Sequence, residues 1–509
     1  MKLNICLLLI LLIFLAHPLV SQESEDSMLF VITAFEFDIK GRSRPFALIN
    51  RGELKTGEKI TGKANLDEYI RDKTQLLINQ RVLKENAVIT YSTGEQAEDG
   101  SYPVILFIHV EDSWNIIALP RPQYSTNTGF DLTIKARDYN FLGTMNPLRV
   151  DLGYRYDENY HSSFQFEVYS DTPFTIFGYT WNFKFDNLFW YRPQVEEPFF
   201  YRNNTGISME LPFRATTLTL GFEEYLNYNE ENSYRYQEFY GNFQKGLYTT
   251  SKLYASWEIP TGLAVSRYGE LTYKPGISAT FNHELPDWPL HQFRKGPFLD
   301  FNHSIGFERI DWHANFRDGL AVSIGNSYNY DFYRLGKGEE PLSVSLTIHG
   351  AGYFIINKFL NITSRVQYRH WFYHDPDYYE QAGDNLRGIA DRSICADYML
   401  SLNMDFPFRI FLFTPSEWFN SRKFSFFDFE FQISPVIDLA LYHNPVTRTS
   451  FHPKNIAASG GFEFIVFPAF MRNLYIRLCY ALNLRELSET RKIPGGDNRE
   501  ISILMGHFY

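Results

Sequence analysis

The chain has 509 residues, enough for two or more ordinary domains or for one very large one with an appendage. Hydrophobic residues make up 44% and aromatics 17%, with 47 Phe and 34 Tyr spread along the chain, and the mean hydropathy is -0.28. That composition is too aromatic for a disordered chain and too polar for a helical membrane protein, and a formal charge of -11 without a basic patch gives nucleic-acid binding no support.

The first residues read "MKLNICLLLILLIFLAHPLVSQES": Lys2, an apolar run from Ile5 to Leu15, and small residues near Ser21. The run is shorter than the roughly 20 residues of a spanning helix, so residues 1–21 are expected to be a cleaved secretory signal. Beyond it no window approaches the length of a membrane helix, which leaves strands as the only route through a bilayer. Cys395 and Cys479 stand 84 positions apart, outside any metal-ligand spacing.

Residues 28–112 have mixed character. "LFVITAFEFDIKG" alternates as a strand does and stops at Gly41. Ser43 and Pro45 predict the cap and first turn of a short helix through Ile49. In "NLDEYIRDKTQLLINQRVLKE", Asn65 and Glu68 have capping-box spacing, and Leu66, Tyr69, Ile70, Leu76, Leu77 and Leu83 recur on one helical face. Two strands follow, "NAVITYST" and "PVILFIHVED". This β-α-α-β-β order, with Gly57 between the helices and the closing "VED", resembles a POTRA domain, the polypeptide-transport-associated module that precedes outer-membrane barrels. Such a sheet keeps an unpaired edge, expected at Ala87 to Thr93, where Ala87, Val88, Ile89, Thr90 and Tyr91 would take an extended client by main-chain hydrogen bonds.

From Pro120 the pattern changes. "LRVDLGYRY", "SFQFEVYS", "FTIFGYTWNFKF", "TTLTLGFEEYL", "LSVSLTIHG" and "FSFFDFEFQISPVIDLALYH" alternate every second residue, between turn-rich stretches. At about 9–11 residues per tilted strand, residues 120–509 suit a transmembrane antiparallel β-barrel of intermediate size. Trp181, Phe189, Trp190, Tyr191, Trp371, Phe372 and Tyr373 bracket strands as interfacial girdles do. The chain ends in "EISILMGHFY", a strand carrying Ile501, Ile503, Met505, Phe508 and Tyr509 to the last residue, as a barrel that seals its last strand against its first requires.

Ahead of one strand stands "GDNLRGIADRS". "NLRGI", followed by a strand ending "LNMDFPFRIF" and by four further candidate strands, resembles the arginine-glycine loop of the BamA and surface-antigen family, as do the "DYNFLG" near barrel entry and the terminal Tyr509. The resemblance implies a barrel of sixteen strands, a loop (Leu386, Arg387, Gly388, Ile389) folded into the lumen, and an acid on the inner wall for Arg387. Asp438 matches that acid best, with Asp428 and Glu430 as alternatives. Arginine suits the place because its planar fork makes two parallel bonds to a carboxylate, and glycine lets the backbone pass close to the wall.

His370 with His374, and His283 with Glu284 and His291, lack zincin spacing, and no nucleophile motif or phosphate loop occurs, so neither an enzyme, a metal nor a cofactor is expected. The resemblance implies a bacterial outer-membrane protein with a periplasmic N-terminal domain. Its role would be to insert unfolded outer-membrane clients or to translocate secreted ones by β-augmentation, in contact with lipid and with accessory assembly proteins through the POTRA-like domain. A single such unit fits, against several in essential assembly factors and two in dedicated secretion partners. The rival from another class is a passive pore or a surface adhesin of the same architecture.

Overall fold

In the computed structural model, which describes residues 28–125, 129–157, 161–194, 198–228, 246–285, 296–373, 380–381, 386–389, 394–445, 447–450 and 452–505, the alternation of Leu29–Lys40 produces β1, the centre of a small sheet. Helix α1 (Pro45–Arg51), strand β2 (Lys59–Thr61), helix α2 (Lys63–Asn79), β3 (Val88–Thr93) and β4 (Ser101–Glu111) complete the unit. The sheet order is β2-β1-β4-β3, with β1 parallel to β4 and β3 antiparallel at the edge. The expected β-α-α-β-β order therefore gains a strand: β2 spans three residues, too few for an alternation to show, and pairs Ile60 with Phe30. Leu48, Leu66, Leu77, Leu83, Val104, Leu106 and Ile108 fill the core between helices and sheet.

Both expected helix caps differ. Arg44 precedes α1 without a capping bond, because Ser43 donates its hydroxyl to Asp112 Oδ1 at 2.6 Å instead. Helix α2 starts after Gly62, at φ +88°, so Asn65 falls inside the first turn and donates to the Thr61 carbonyl. Ala87, expected on the edge strand, precedes β3 and is buried, as is Ile89, whereas Val88 and Thr90 are exposed.

The rest of the chain forms one large antiparallel sheet. It begins at β5 (Ile116–Ser125), four residues before the expected Pro120, because a terminal strand tolerates the prolines that read as a break. There follow β6 (Gly129–Asp138), β7 (Leu148–Asp157), β8 (His161–Ile176), β9 (Tyr179–Tyr191), β10 (Phe199–Phe213), β11 (Thr216–Tyr228), β12 (Leu247–Ala264), β13 (Glu270–His283), β14 (Phe298–His313), β15 (Phe316–Asp331), β16 (Leu342–Asn357) and β17 (Leu360–Tyr373). After the two-residue pair β18 (Glu380–Gln381) and β19 (Cys395–Ala396) come β20 (Tyr398–Asp405), β21 (Phe408–Phe413), β22 (Phe429–Asn444), β23 (Thr449–Ser450), β24 (Ile456–Pro468), β25 (Ile476–Asn483) and β26 (Arg499–Met505).

The strand order returns on itself, with β26 beside β5. Segments β20 and β21 share the neighbours β17 and β22, and β23 and β24 both pair with β22, so each couple is one interrupted strand. Among the described residues the twenty segments of the ring thus make eighteen continuous strands, the upper end of the sixteen to eighteen that the alternation allows and two more than the resemblance implies. Five follow the arginine loop, as the sequence pattern indicates, so the additional strands precede it. Two-residue hairpins concealed strand ends there: "FTIFGYTWNFKF" reads as one run, yet Phe177 and Gly178, both at positive φ, turn the chain between β8 and β9.

Burial in this sheet is inverted. Along β22, Glu430, Gln432, Ser434, Asp438 and Ala440 are buried on the inner side, while Ile437 and Leu439 are exposed on the outer side. The same holds around the ring: Asp151, Glu223, Ser278 and Glu463 face in, and Leu152, Phe222, Ile277 and Phe464 face out. Among the described residues no helix is long and apolar enough to cross a membrane.

Connections at one end of the sheet include two-residue turns such as Arg214–Ala215, Ala314–Asn315 and Lys358–Phe359, whereas those at the other end include residues 229–246, 332–341 and 374–397. The N-terminal unit sits at the short-turn end. Its core cluster continues into Tyr139, Met145, Met471 and Leu474 of the large sheet. Arg42 pairs with Asp138 (2.9 Å), and Asn140 Nδ2 donates to Ser43 Oγ (2.9 Å) and Asp112 Oδ2 (3.0 Å). Nearly half-way round the ring, Arg309 pairs with Asp72 at 2.8 Å and Asn79 Nδ2 donates to Asp311 Oδ1 at 2.8 Å. The unit therefore reaches from β6 to β14 across the mouth.

Gly143, at φ +75°, accepts from the Arg44 N–H, and a β-carbon on it would stand 2.1 Å from the Arg42 carbonyl oxygen. Gly143→Ala is expected to weaken this joint by about 1–3 kcal/mol, seen as faster proteolysis between the two units with the heat stability of the large sheet unchanged.

Candidate functional site

The connection from β17 to β20 carries the described residues 386–389 inward. Leu386 and Ile389 are buried against Ile394, Ala396, Met399, Ala440 and Ala457, an apolar pad that seats the loop. Between them Arg387 meets the wall. Its Nε donates to Asp438 Oδ2 at 2.9 Å, its Nη2 to Asp438 Oδ1 at 2.5 Å, and its backbone N–H to Asp438 Oδ2 at 2.8 Å. Nη1 lies 2.6 Å from Asp405 Oδ1 and donates to Glu463 Oε1 at 3.1 Å. Glu463 is also 3.4 Å from Arg477.

Strand periodicity explains why these groups converge. Asp405 on β20, Asp438 on β22 and Glu463 on β24 all take inward positions, with Asp438 level with Asn403 and Ser459. The side chains of Asp438 and Glu463 are 1% and 2% exposed. Two buried carboxylates without a cation would carry a heavy desolvation cost, and the fork of Arg387 offsets it by satisfying both oxygens of Asp438. Burial acts to lower the Arg387 pKa, but the bonds to Asp438 and the charges of Asp405 and Glu463 outweigh it and hold the guanidinium above its ordinary value.

Gly388 brings the loop onto the next strands. Its N–H donates to Glu500 Oε2 of β26 at 3.0 Å, and at φ +74° its missing β-carbon would stand 2.7 Å from the Ala481 carbonyl carbon of β25. Only glycine combines that dihedral with that approach. Four residues thus reach each of the last five strands of the ring.

Arg387 and Asp438 are brought together, while the two alternative acids are engaged elsewhere. Asp428 accepts from the Ser416 backbone and hydroxyl, and Glu430 pairs with Arg409 at 3.0 Å. Sequence reasoning missed Asp405, Glu463, Arg477 and Glu500. The available signal was a lone acid within an apolar alternation, as in "NMDFPF" and "GGFEFIVF". On β26, Ile501 and Ile503 pair with Tyr480 and Leu478 on the outward face, and Met505 ends the described strand. The side chain of Met505, residues Phe508 and Tyr509, and the signal at 1–21 lie outside the described residues. His370 stacks on Phe372 and lies tilted against Tyr398, His283 lies against Ser251, and His291 and His374 are also outside the described residues.

No family model and no curated protein matches the sequence. Solved structures that resemble it include CdiB from Acinetobacter baumannii (11% identity, TM-score 0.49, covering 94% of this chain and 74% of that one). BamA from Haemophilus ducreyi lacking POTRA domains 1-3 is 13% identical at TM-score 0.41, covering 94% and 85%. CdiB from Escherichia coli is 8% identical at TM-score 0.42, covering 97% and 93%.

Arg387→Ala leaves Asp438 and Glu463 buried with less countercharge and is expected to cost about 3–5 kcal/mol, read as a lower temperature for loss of the folded form on semi-native gels. Arg387→Lys, which keeps the charge but not the fork, should fall between wild type and Ala.

Gly388→Ala is expected to lower the same transition by unseating the loop. Because both changes release one element, the Arg387→Ala, Gly388→Ala double variant should be no worse than the more damaging single one, and additive losses on the gel would contradict a shared clamp.

Proposed function

We propose that the chain is an outer-membrane β-barrel of the BamA and surface-antigen kind, with a POTRA-like periplasmic domain, that inserts or translocates other polypeptides by β-augmentation. The apolar outer face and polar inner face suit a wall between lipid and a wet lumen, and short turns at the end bearing the N-terminal unit suit a periplasmic side.

The observation that carries the reading is the reach of the arginine loop. It grips β20, β22, β24, β25 and β26, the strands on one side of the junction with β5. A barrel that serves only as a wall needs no such brace. A barrel whose first and last strands must part to admit a client strand does, because the last five strands have to keep their register while β5 moves away. Strand lengths fit the same idea: β5, β6, β7 and β25 span eight to ten residues, while β8 to β17 span thirteen to eighteen, so the wall is low where the client would enter. Pro120 and Pro122, two residues apart on β5, lack N–H groups on one edge of that strand, and its ladder to β6 is unbroken.

The role is non-catalytic. The edge strand β3 offers main-chain groups to an extended client, and the free energy comes from the client's own folding. Depleting the protein and surveying outer-membrane barrels tests this: an inserter predicts a broad fall, a dedicated exporter the loss of one secreted partner, and unchanged levels of both would overturn the proposal.

Thr90→Pro and Tyr91→Pro give a second test. Successive N–H groups on β3 point to opposite sides, so one of the two prolines breaks the ladder to β4 and the other blocks only the open edge. The variant that leaves the unit folded by circular dichroism is expected to lose client crosslinking to β3.

A further inference from the structure

One feature of the short-turn end has no part in the clamp or the edge strand. The connection of β21 to β22, residues 414–428, is longer than the other turns at that end and contains a short helix, Pro415–Trp418. Strand β21 also overruns its neighbour: Phe408 pairs with Leu360, the first residue of β17, and Ile410–Phe413 continue past the Lys358–Phe359 turn.

The projecting hairpin is apolar and uncovered. Trp418 and Phe419 are each 64% exposed, Phe426 is 62% exposed, and Ile410, Leu412 and Phe427 are exposed with them. Soluble surfaces rarely gather so many large apolar side chains. The hairpin is nonetheless held in shape: the Ser416 N–H donates to Asp428 Oδ1 at 3.0 Å, and the Asp428 carbonyl accepts from Ala469.

Its direction is set by a run of rings. Phe464 and Phe431, on the outward faces of β24 and β22, lie 6.4 Å apart; Phe431 lies 5.3 Å from Phe411, Phe429 5.1 Å from Phe413, and Phe413 4.9 Å from Trp418. The apolar outer wall therefore continues without a break into the hairpin. Phe426 stacks on Phe470 at 4.4 Å, on the side of the N-terminal unit.

We propose that this hairpin is an interfacial membrane anchor, whose Trp418, Phe419, Phe426 and Phe427 enter the phospholipid leaflet on the side of the N-terminal unit. The inference rests on the lipid-embedded reading of the sheet. Three observations favour lipid over another protein as the occupant: continuity with the outer wall, a Trp- and Phe-rich composition beside the exposed Lys423, and placement at the rim, where aromatic and basic side chains meet headgroups. The anchor fixes the depth of the wall at β21 and β22.

The test uses the full-length protein in vesicles of phosphatidylethanolamine and phosphatidylglycerol containing phosphatidylcholine brominated near the headgroup end of its acyl chains. Trp257, exposed on the outer face of β12, serves as the reference. The fluorescence removed by Trp418→Phe is expected to be quenched as strongly as that removed by Trp257→Phe. Quenching at Trp257 but not at Trp418 overturns the anchor while leaving the embedded sheet standing, and the hairpin then meets water, a second copy or another chain. Quenching at neither overturns both.

Discussion

The large sheet depends on one cluster of enclosed charges. Asp405, Asp438 and Glu463 converge from three strands, and Arg387 and Arg477 lie among them. In a low-dielectric wall the loss of one partner costs more than the pair contributes relative to apolar residues of the same shape, so the cluster acts less as a source of stability than as a specifier. It admits one loop position and one register of β20, β22 and β24, because a one-residue slip would turn each acid to the outer face. Lysine could not replace the arginine, since a single ammonium cannot bridge both oxygens of Asp438 and still reach Glu463.

That specification matters because, among the described residues, the sheet holds only small apolar clusters inside, the pad under the loop and Ile465 with Phe467 and Tyr475. Most of its large apolar side chains point outward, and its interior is rich in Ser, Asn, Asp and Glu, so its order comes mainly from the ladder of backbone hydrogen bonds and from polar side-chain contacts across the inner face. The N-terminal unit follows the opposite rule, with a dense aliphatic core that extends into Tyr139, Met145, Met471 and Leu474. The joint is therefore a small hydrophobic core shared by two bodies of opposite polarity, ringed by ion pairs such as Arg42 with Asp138 and Arg309 with Asp72.

Much of this was legible in the order of residues because period-two alternation is a local signal. "FSFFDFEFQISPVIDLALYH" carries both the inward Asp438 and the outward Ile437 and Leu439, and "NLRGI" carries the glycine that the approach to Ala481 requires. Other features were hidden because they depend on partners distant in the chain. Asp112 takes Ser43 away from the helix it was expected to cap, and Glu463 and Glu500 acquire meaning only once β24 and β26 stand beside the loop. The strand count was hidden for a different reason: a two-residue hairpin such as Phe177–Gly178 interrupts an aromatic alternation without changing its composition.

The joint, the clamp and the junction of β26 with β5 form one mechanical chain. Strand β5 leaves the N-terminal unit through Ser113 and Asn115, and the Asn115 side chain donates to the Val82 carbonyl at 3.1 Å. On the other side of the junction, the turn between β24 and β25 sends Arg472 into the same unit, where it pairs with Glu85 at 3.1 Å and donates to the Leu83 carbonyl at 2.7 Å. Farther along β24 and β25, Glu463 and Ala481 meet the arginine loop. Both flanks of the junction thus end on residues 82–85, the segment that leads directly into the edge strand β3. Any displacement of that segment bears on β5 and on the braced strands together, which joins β3 to the junction by a path only a few residues long.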